Sequence, residues 1–116
     1  MSPAYRYNAH VVSVYDGDTL RANVSLGFHA WTMNVQLRLL GINAPEMVGA
    51  DKASGILSRD RLRALVADKD VVIETVKDTT EKYGRYLARV FVKIDGTWTC
   101  VNDVMINEGL AKPYMV

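Results

Sequence analysis

Residues 32–46 read TMNVQLRLLGINAPE. Met33, Val35, Leu37 and Leu39 alternate with other residues, which predicts a strand over 32–40 with these four on one face. Gln36, Arg38 and Leu40 fall on the other face, so Arg38 stands opposite the main apolar set. Its mixture with Leu40 implies a curved sheet with part of both faces covered. A half-buried arginine either snorkels to solvent or faces an anion or a carboxylate. Beyond Gly41, Pro45 disfavours helical dihedrals at Ala44, so Asn43 to Glu46 is expected to be a rigid extended turn. Such a turn can aim the Asn43 oxygens and the Glu46 carboxylate at one point.

Working outward, residues 8–15 and 19–26 predict two strands joined by the turn Asp16-Gly17-Asp18, with Leu20, Ala22, Val24 and Leu26 sharing a face. Gly27 to Trp31 is expected to be a broad hairpin loop, and residues 43–54 a second loop. The stretch 55–69, GILSRDRLRALVADK, predicts a helix with Leu62, Leu65 and Val66 as its apolar stripe and Ser54 as a candidate cap. Strands are expected over 70–76, 85–94 and 97–100, with a loop at 77–84 and a turn at Asp95-Gly96. A second helix over 101–108 ends at Gly109, with Leu110 packing behind it and Pro113 stopping any continuation. The order β-β-β-α-β-β-α contains no repeated βαβ unit and no glycine-rich phosphate loop. It predicts a mainly β, α+β fold built on a small, strongly curved five-stranded barrel.

The chain has 116 residues, enough for one domain with a real core. An apolar fraction of 49% with 23% charged residues is an ordinary globular profile. Net charge is +1, so any nucleic-acid contact is expected at a local site rather than over a broad basic face. Cys100 is the only cysteine, which excludes an intrachain disulfide and a cysteine-rich metal site. No run reaches the roughly 20 apolar residues needed to span a bilayer. The opening MSPAYRYNAH has no apolar h-region. The expectation is a cytoplasmic or phage- or mobile-element-encoded protein, or a secreted one whose leader was removed.

Three groups of residues carry chemistry. Asp16 and Asp18 flank Gly17 and read equally as turn formers. Period two from Leu20 puts Asp18 on the apolar side, where a carboxylate needs a partner or a metal. The turn 43–46 supplies oxygen donors suited to a hard cation such as calcium, while His10 and His29 are isolated and read as structural or surface residues. Arg85 and Arg89 lie four residues apart on one strand, and each reads equally as a solvated or salt-bridged group. Arginines, a metal held by oxygens and a carboxylate are the parts of phosphoryl chemistry. Trp31, Tyr83, Tyr86 and Tyr114 are candidates to stack on bases. Trp98 and Phe91 are assigned to the core, and Val101, Met105 and Leu110 to helix packing.

The motifs VYDGDTL, LRLLGINAPE, EKYGRYLARVFV and VNDVMINEGLAKPY occur in that order. Together they resemble the staphylococcal nuclease (thermonuclease) family from about His10 to Tyr114. The resemblance implies a five-stranded OB-type barrel over a single domain, 1–116, with its core at about 8–114. It implies a Ca2+-dependent endonuclease that hydrolyses DNA and RNA phosphodiesters and leaves 5′-hydroxyl and 3′-phosphate ends. By the same resemblance Asp18 matches the calcium-binding aspartate, Arg38 and Arg85 the two catalytic arginines, and Glu46 the glutamate usually assigned as general base. Position 43 departs from the pattern, with Asn43 replacing a second calcium-binding aspartate. Ala44 replaces a threonine but keeps the backbone carbonyl that can ligate. The sequence ends at Val116, short of the long C-terminal helix of the staphylococcal pattern. Partners are DNA or RNA, with no membrane and no obligate protein partner, so a monomer is expected. The alternative is a non-catalytic nucleic-acid-binding or protein-interaction module on the same barrel.

Overall fold

A computed structural model describes residues 5–80 and 83–114, with the side chains of 77–80 left aside. Strands β1 (Arg6–Asp16), β2 (Thr19–Gly27) and β3 (Ala30–Leu39) form an antiparallel meander. The β2–β3 connection is tighter than the sequence suggests. Phe28 and His29 both have positive φ, 55° and 63°, so a two-residue turn replaces the expected loop from Gly27 to Trp31. Its twist matches that of the strands.

Strand β3 also carries a correction to the apolar set. The pairing steps from Ala22↔Val35 to Val24↔Thr32, leaving one extra residue on β3. Asn34 sits there at φ 59°, its N–H held by Asn23 Oδ1 at 2.9 Å. This bulge reverses the alternation. Leu37 and Leu39 are buried, Val35 is half-buried, and Met33 is 64% exposed instead of sharing their face.

The expected loop at 43–54 contains a two-residue strand β4 (Ile42–Asn43), a 3-10 turn (Gly49–Asp51) and the start of helix α1 (Lys52–Val66). The helix begins three residues earlier than predicted and its N-cap is Asp51, not Ser54. Its stripe Leu62, Leu65 and Val66 is buried as expected, and the helix packs against β1. Strand β5 (Asp70–Thr80) runs four residues beyond its predicted end. Of the expected loop at 77–84, residues 81–82 lie outside the described residues. Strands β6 (Tyr86–Ile94) and β7 (Thr97–Cys100) follow, joined by Asp95-Gly96 at positive φ. Phe91 is half-buried and Trp98 is 53% exposed, because β7 pairs outside the closed barrel and presents one face to solvent. Helix α2 (Val101–Asn107) ends where Gly109 turns to φ 73°. Leu110 N–H then bonds Met105 O and Gly109 N–H bonds Ile106 O, which satisfies the last carbonyls. Strand β8 (Lys112–Pro113) pairs with β4.

The order β3-β2-β1-β5-β6 closes through a parallel β3–β6 pairing, Leu37↔Tyr86, Arg38↔Leu87 and Leu39↔Ala88. The fold is a closed five-stranded OB-type barrel with extra strands and two helices. Its interior holds Leu20, Leu37, Leu39, Ile73 and Val90, sealed by Leu62 and Val66 of α1 and Val101 and Met105 of α2. Asn102, 3% exposed, fastens the closing seam. Its Oδ1 accepts from Val90 N–H at 3.0 Å, while Nδ2 donates to Leu40 O at 2.8 Å and Ala88 O at 3.2 Å. Among the described residues no helix is long and apolar enough to cross a membrane.

Candidate active site

The barrel's closing seam sets the site. Thr19 pairs with Arg38 on one side, and Arg38 pairs with Leu87 on the other. Paired residues share a face, so Arg38, Leu87 and Thr19 form one outward row. Arg85 lies two residues before Leu87 and rises on the same side. Two arginines 47 positions apart in sequence thus reach one cleft of about 740 Å³.

The arginine in RLLG finds a carboxylate. Asp18 is 7% exposed, and its Oδ2 lies 3.0 Å from Arg38 Nη1. The same oxygen accepts the Ala44 N–H at 2.9 Å, and Oδ1 accepts the Thr19 hydroxyl at 3.1 Å. Arg38 Nη2 donates to Ile42 O at 3.1 Å and reaches Asn43 Oδ1 at 3.5 Å. Nη1 is an ion-pair partner rather than a hydrogen-bond donor here: it is close to Asp18 but not aligned on it, which leaves a buried N–H unspent. Arg85 Nη1 donates to Thr19 Oγ1 at 3.3 Å. The Arg85 guanidinium lies 5.3 Å from the Tyr83 ring centre, and that of Arg38 5.5 Å from the Tyr114 ring centre.

Two glycines let three segments meet. A Cβ at Gly17 would strike Ser58 of α1 and Ala44, and a Cβ at Gly55 would strike the Glu46 carbonyl. The DGD turn is therefore pressed onto the Ser58 and Ala44 side chains, and α1 onto the backbone at Glu46 and Met47. This packing carries Asp18, Asn43, Ala44, Pro45 and Glu46 to the same cleft wall. Glu46 is exposed and makes no hydrogen bond or ion pair among the described residues, so its carboxylate is available.

Sequence reasoning left Asp16 as a turn former. It lines the cleft, accepts the Asp18 N–H at 3.1 Å, and has its pKa pushed up to about 6. Burial is the main cause, with the Asp18 carboxylate adding to it. The signal available was its place in DGD, two residues from Asp18. Tyr83 and Tyr114 reach the cleft and Tyr86 does not. Tyr86 is half-buried at the other side of its strand, beside Leu37, Ile73 and Tyr7. Trp31 is exposed on a different part of the surface, and Arg89 pairs with Asp103 at 3.7 Å outside the cleft.

No three His, Cys, Asp or Glu side chains form a metal-holding group among the described residues. Asp16, Asp18, Asn43, Ala44 and Glu46 line the cleft, four of them with side-chain oxygens. An all-oxygen set fits a hard divalent cation, which would offset the neighbouring Asp16 and Asp18 carboxylates. The neutral Asn43 makes it a lower-charge set than three carboxylates.

The closed OB-type barrel thus carries two arginines and several carboxylates on one cleft. Residues 36–116 match the sequence model of the family described as Staphylococcal nuclease homologue, and the chain belongs to that family. Membership makes it a nuclease-type hydrolase acting on nucleic acids. The match begins at Gln36 and so leaves the DGD turn outside it. The comparison with curated proteins found no match.

Proposed function

We propose that the chain, as one domain over 1–116, is a calcium-dependent endonuclease that cleaves DNA and RNA to 5′-hydroxyl and 3′-phosphate ends. The observation that carries this reading is the convergence of Arg38, Arg85, Asp18 and Glu46 on one cleft. Asp18, Asn43 and the Ala44 carbonyl would hold Ca2+, which when bound polarises a phosphoryl oxygen. The unspent Nη1 of Arg38 donates to a non-bridging phosphate oxygen as the guanidinium leaves Asp18. Arg85 grips the phosphate from the other side, and both cations stabilise the charge that builds on phosphorus. Glu46, without a partner among the described residues, takes the proton from the attacking water; the water oxygen bonds to phosphorus as the P–O5′ bond breaks, and the departing 5′-oxygen takes a proton from solvent. Tyr83 and Tyr114, each held against an arginine, offer ring faces to the flanking bases. With no protein partner required, the working form is a monomer.

The test is incubation of the purified protein with single-stranded DNA and RNA, with calcium or with chelator. Cleavage with calcium alone is expected, and the fragments should accept 5′-phosphate from a polynucleotide kinase without prior phosphatase treatment. Tight binding with no cleavage across a wide calcium range would instead make this a binding module.

A further inference from the structure

A second groove, about 640 Å³, adjoins the cleft and shares Tyr83 and Arg85 with it as a common wall. Its floor is a single cross-strand row, Ser13↔Arg21 on β1–β2 and Arg21↔Gln36 on β2–β3. The next row on that face is Thr19↔Arg38, which belongs to the cleft. Arg21 therefore stands two residues along β2 from the cleft, about 6.7 Å by strand rise, which is the reach of one extended nucleotide unit.

The side chains in this row are unspent. Arg21 is half-buried, yet its guanidinium makes no hydrogen bond or ion pair among the described residues. The Gln36 amide is likewise half-buried and has no side-chain hydrogen bond among the described residues. A half-buried guanidinium with no counter-ion in the chain is open to an anion from outside, and its planar fork suits phosphate. At the rim, the pairing steps from Val14↔Leu20 to Asp16↔Thr19, which makes Tyr15 the extra residue of a β-bulge. The bulge turns Tyr15 out of the barrel, and its ring is 75% exposed on the groove edge. Neither the core nor the cleft uses it.

We propose that this groove is a second nucleotide subsite for single-stranded nucleic acid, with Arg21 taking the phosphate next to the scissile one and Tyr15 stacking on its base. Gln36 supplies a donor and an acceptor to the sugar or base edge. The subsite rests on the phosphodiester reading of the adjoining cleft and adds chain-length dependence to it. A substrate with one linkage fills the cleft alone, while a longer strand continues into the groove.

The test uses the whole chain and its Arg21→Gln, Arg21→Lys and Tyr15→Ser variants. Each is assayed with calcium on a dinucleotide and on an octanucleotide of DNA, and octanucleotide binding is followed by fluorescence anisotropy across potassium chloride concentrations. For Arg21→Gln, kcat/KM on the octanucleotide is expected to fall about tenfold through KM, at least fivefold more than on the dinucleotide. The slope of log affinity against log salt should shrink by about 0.7, one phosphate contact, and Arg21→Lys should restore it. Tyr15→Ser should weaken octanucleotide binding without changing the slope. Equal losses on both substrates together with an unchanged slope would overturn the subsite. If the parent binds but cleaves neither substrate, the nuclease reading falls and the slope alone decides the subsite. If the parent does not bind the octanucleotide, both fall.

Discussion

Arg38 is held against Asp18, Nη1 to Oδ2 at 3.0 Å, with the two side chains only 12% and 10% exposed. The residues come from opposite ends of the β2–β3 hairpin, and the Thr19↔Arg38 pairing brings them together. In the proposed reaction both ends of this pair have other work, Asp18 with the cation and Arg38 with the phosphate. Substitution at 38 should therefore change both.

Arg38→Lys is expected to lower kcat about a hundredfold, roughly 3 kcal/mol of lost transition-state contact, with the fold retained. A point charge can still neutralise Asp18 but cannot also grip two phosphoryl oxygens. Steady-state kinetics beside a circular-dichroism melt separate the two effects. A rate within twofold of the parent would remove Arg38 from the chemistry.

Arg85→Lys should show a loss of similar size, since its guanidinium reaches the same cleft from the other edge of the seam. Arg89→Lys is the matched control on the same strand. Its partners are Asp103 at 3.7 Å and Cys100 Sγ at 3.9 Å, both away from the cleft. Its turnover is expected to stay within twofold of the parent. A large loss at position 89 would mean that the strand, rather than the arginine, is being tested.

Asn102→Ala is expected to destabilise the fold by roughly 2–3 kcal/mol. The change strips three backbone groups of a partner at once, Val90 N–H, Leu40 O and Ala88 O. Because Leu40 and Ala88 belong to the two sides of the closing seam, cleft geometry should loosen along with stability. Urea unfolding measures the first effect. A shift below 0.5 kcal/mol would mean that water replaces the amide without cost.

The strands of the barrel were legible because apolar alternation survives in the sequence, but Asp18 lies in the turn before β2 and pairs with Arg38 in the cleft instead of joining the apolar face. The meeting of Arg38 with Arg85 was not legible from spacing, since it depends on the parallel β3–β6 register that closes the barrel. The family resemblance supplied that pairing of roles; periodicity did not. Tyr86 shows a misreading that strand geometry could have prevented. Adjacent residues on a strand point to opposite faces, so Arg85 and Tyr86 do not both reach one cleft. Met33 was misplaced because a single residue, Asn34, turns to positive φ and shifts the phase of everything before it. Asp16 was missed because it is the packed fold that brings the DGD turn against α1 at Gly17 and Ser58, segments some 40 residues apart, and sets Asp16 in the cleft.

Stability should depend on pH through His10. Its ring lies between Asp70 Oδ1 at 2.8 Å and Asp68 Oδ1 at 2.9 Å, and these two hydrogen bonds raise its pKa, Asp70 most. A raised folded-state pKa means that the folded chain holds the proton more tightly than the unfolded chain. The stabilisation is complete below the unfolded value near 6.5 and is lost as pH rises through the higher folded value. Thermal melts of the parent and His10→Gln from pH 5 to pH 9 test this. The gap in Tm is expected to be widest at the acid end and to narrow toward pH 9. A gap that stays constant would show that the histidine acts through neutral hydrogen bonds alone.

Asn43→Asp should tighten calcium binding. In the proposed site Asn43 stands where a second carboxylate would complete the donor set, and charge count is a main determinant of calcium affinity. The new carboxylate also has a cation at hand, because Asn43 Oδ1 already lies 3.5 Å from Arg38 Nη2. In the calcium-free protein it would compete with Asp18 for that arginine. It would also raise the negative charge beside Asp16, whose pKa already stands at about 6. The variant is therefore expected to be less stable than the parent in chelator and to gain more from added calcium. Calorimetric titration should show affinity rising about tenfold, one added charge in the ligand set. Activity at low calcium should rise in parallel, while saturating calcium narrows the difference. Unchanged affinity in Asn43→Asp would show that position 43 does not reach the metal through its side chain. Asp18 and the Ala44 carbonyl would then be the anchors, with water in the remaining positions.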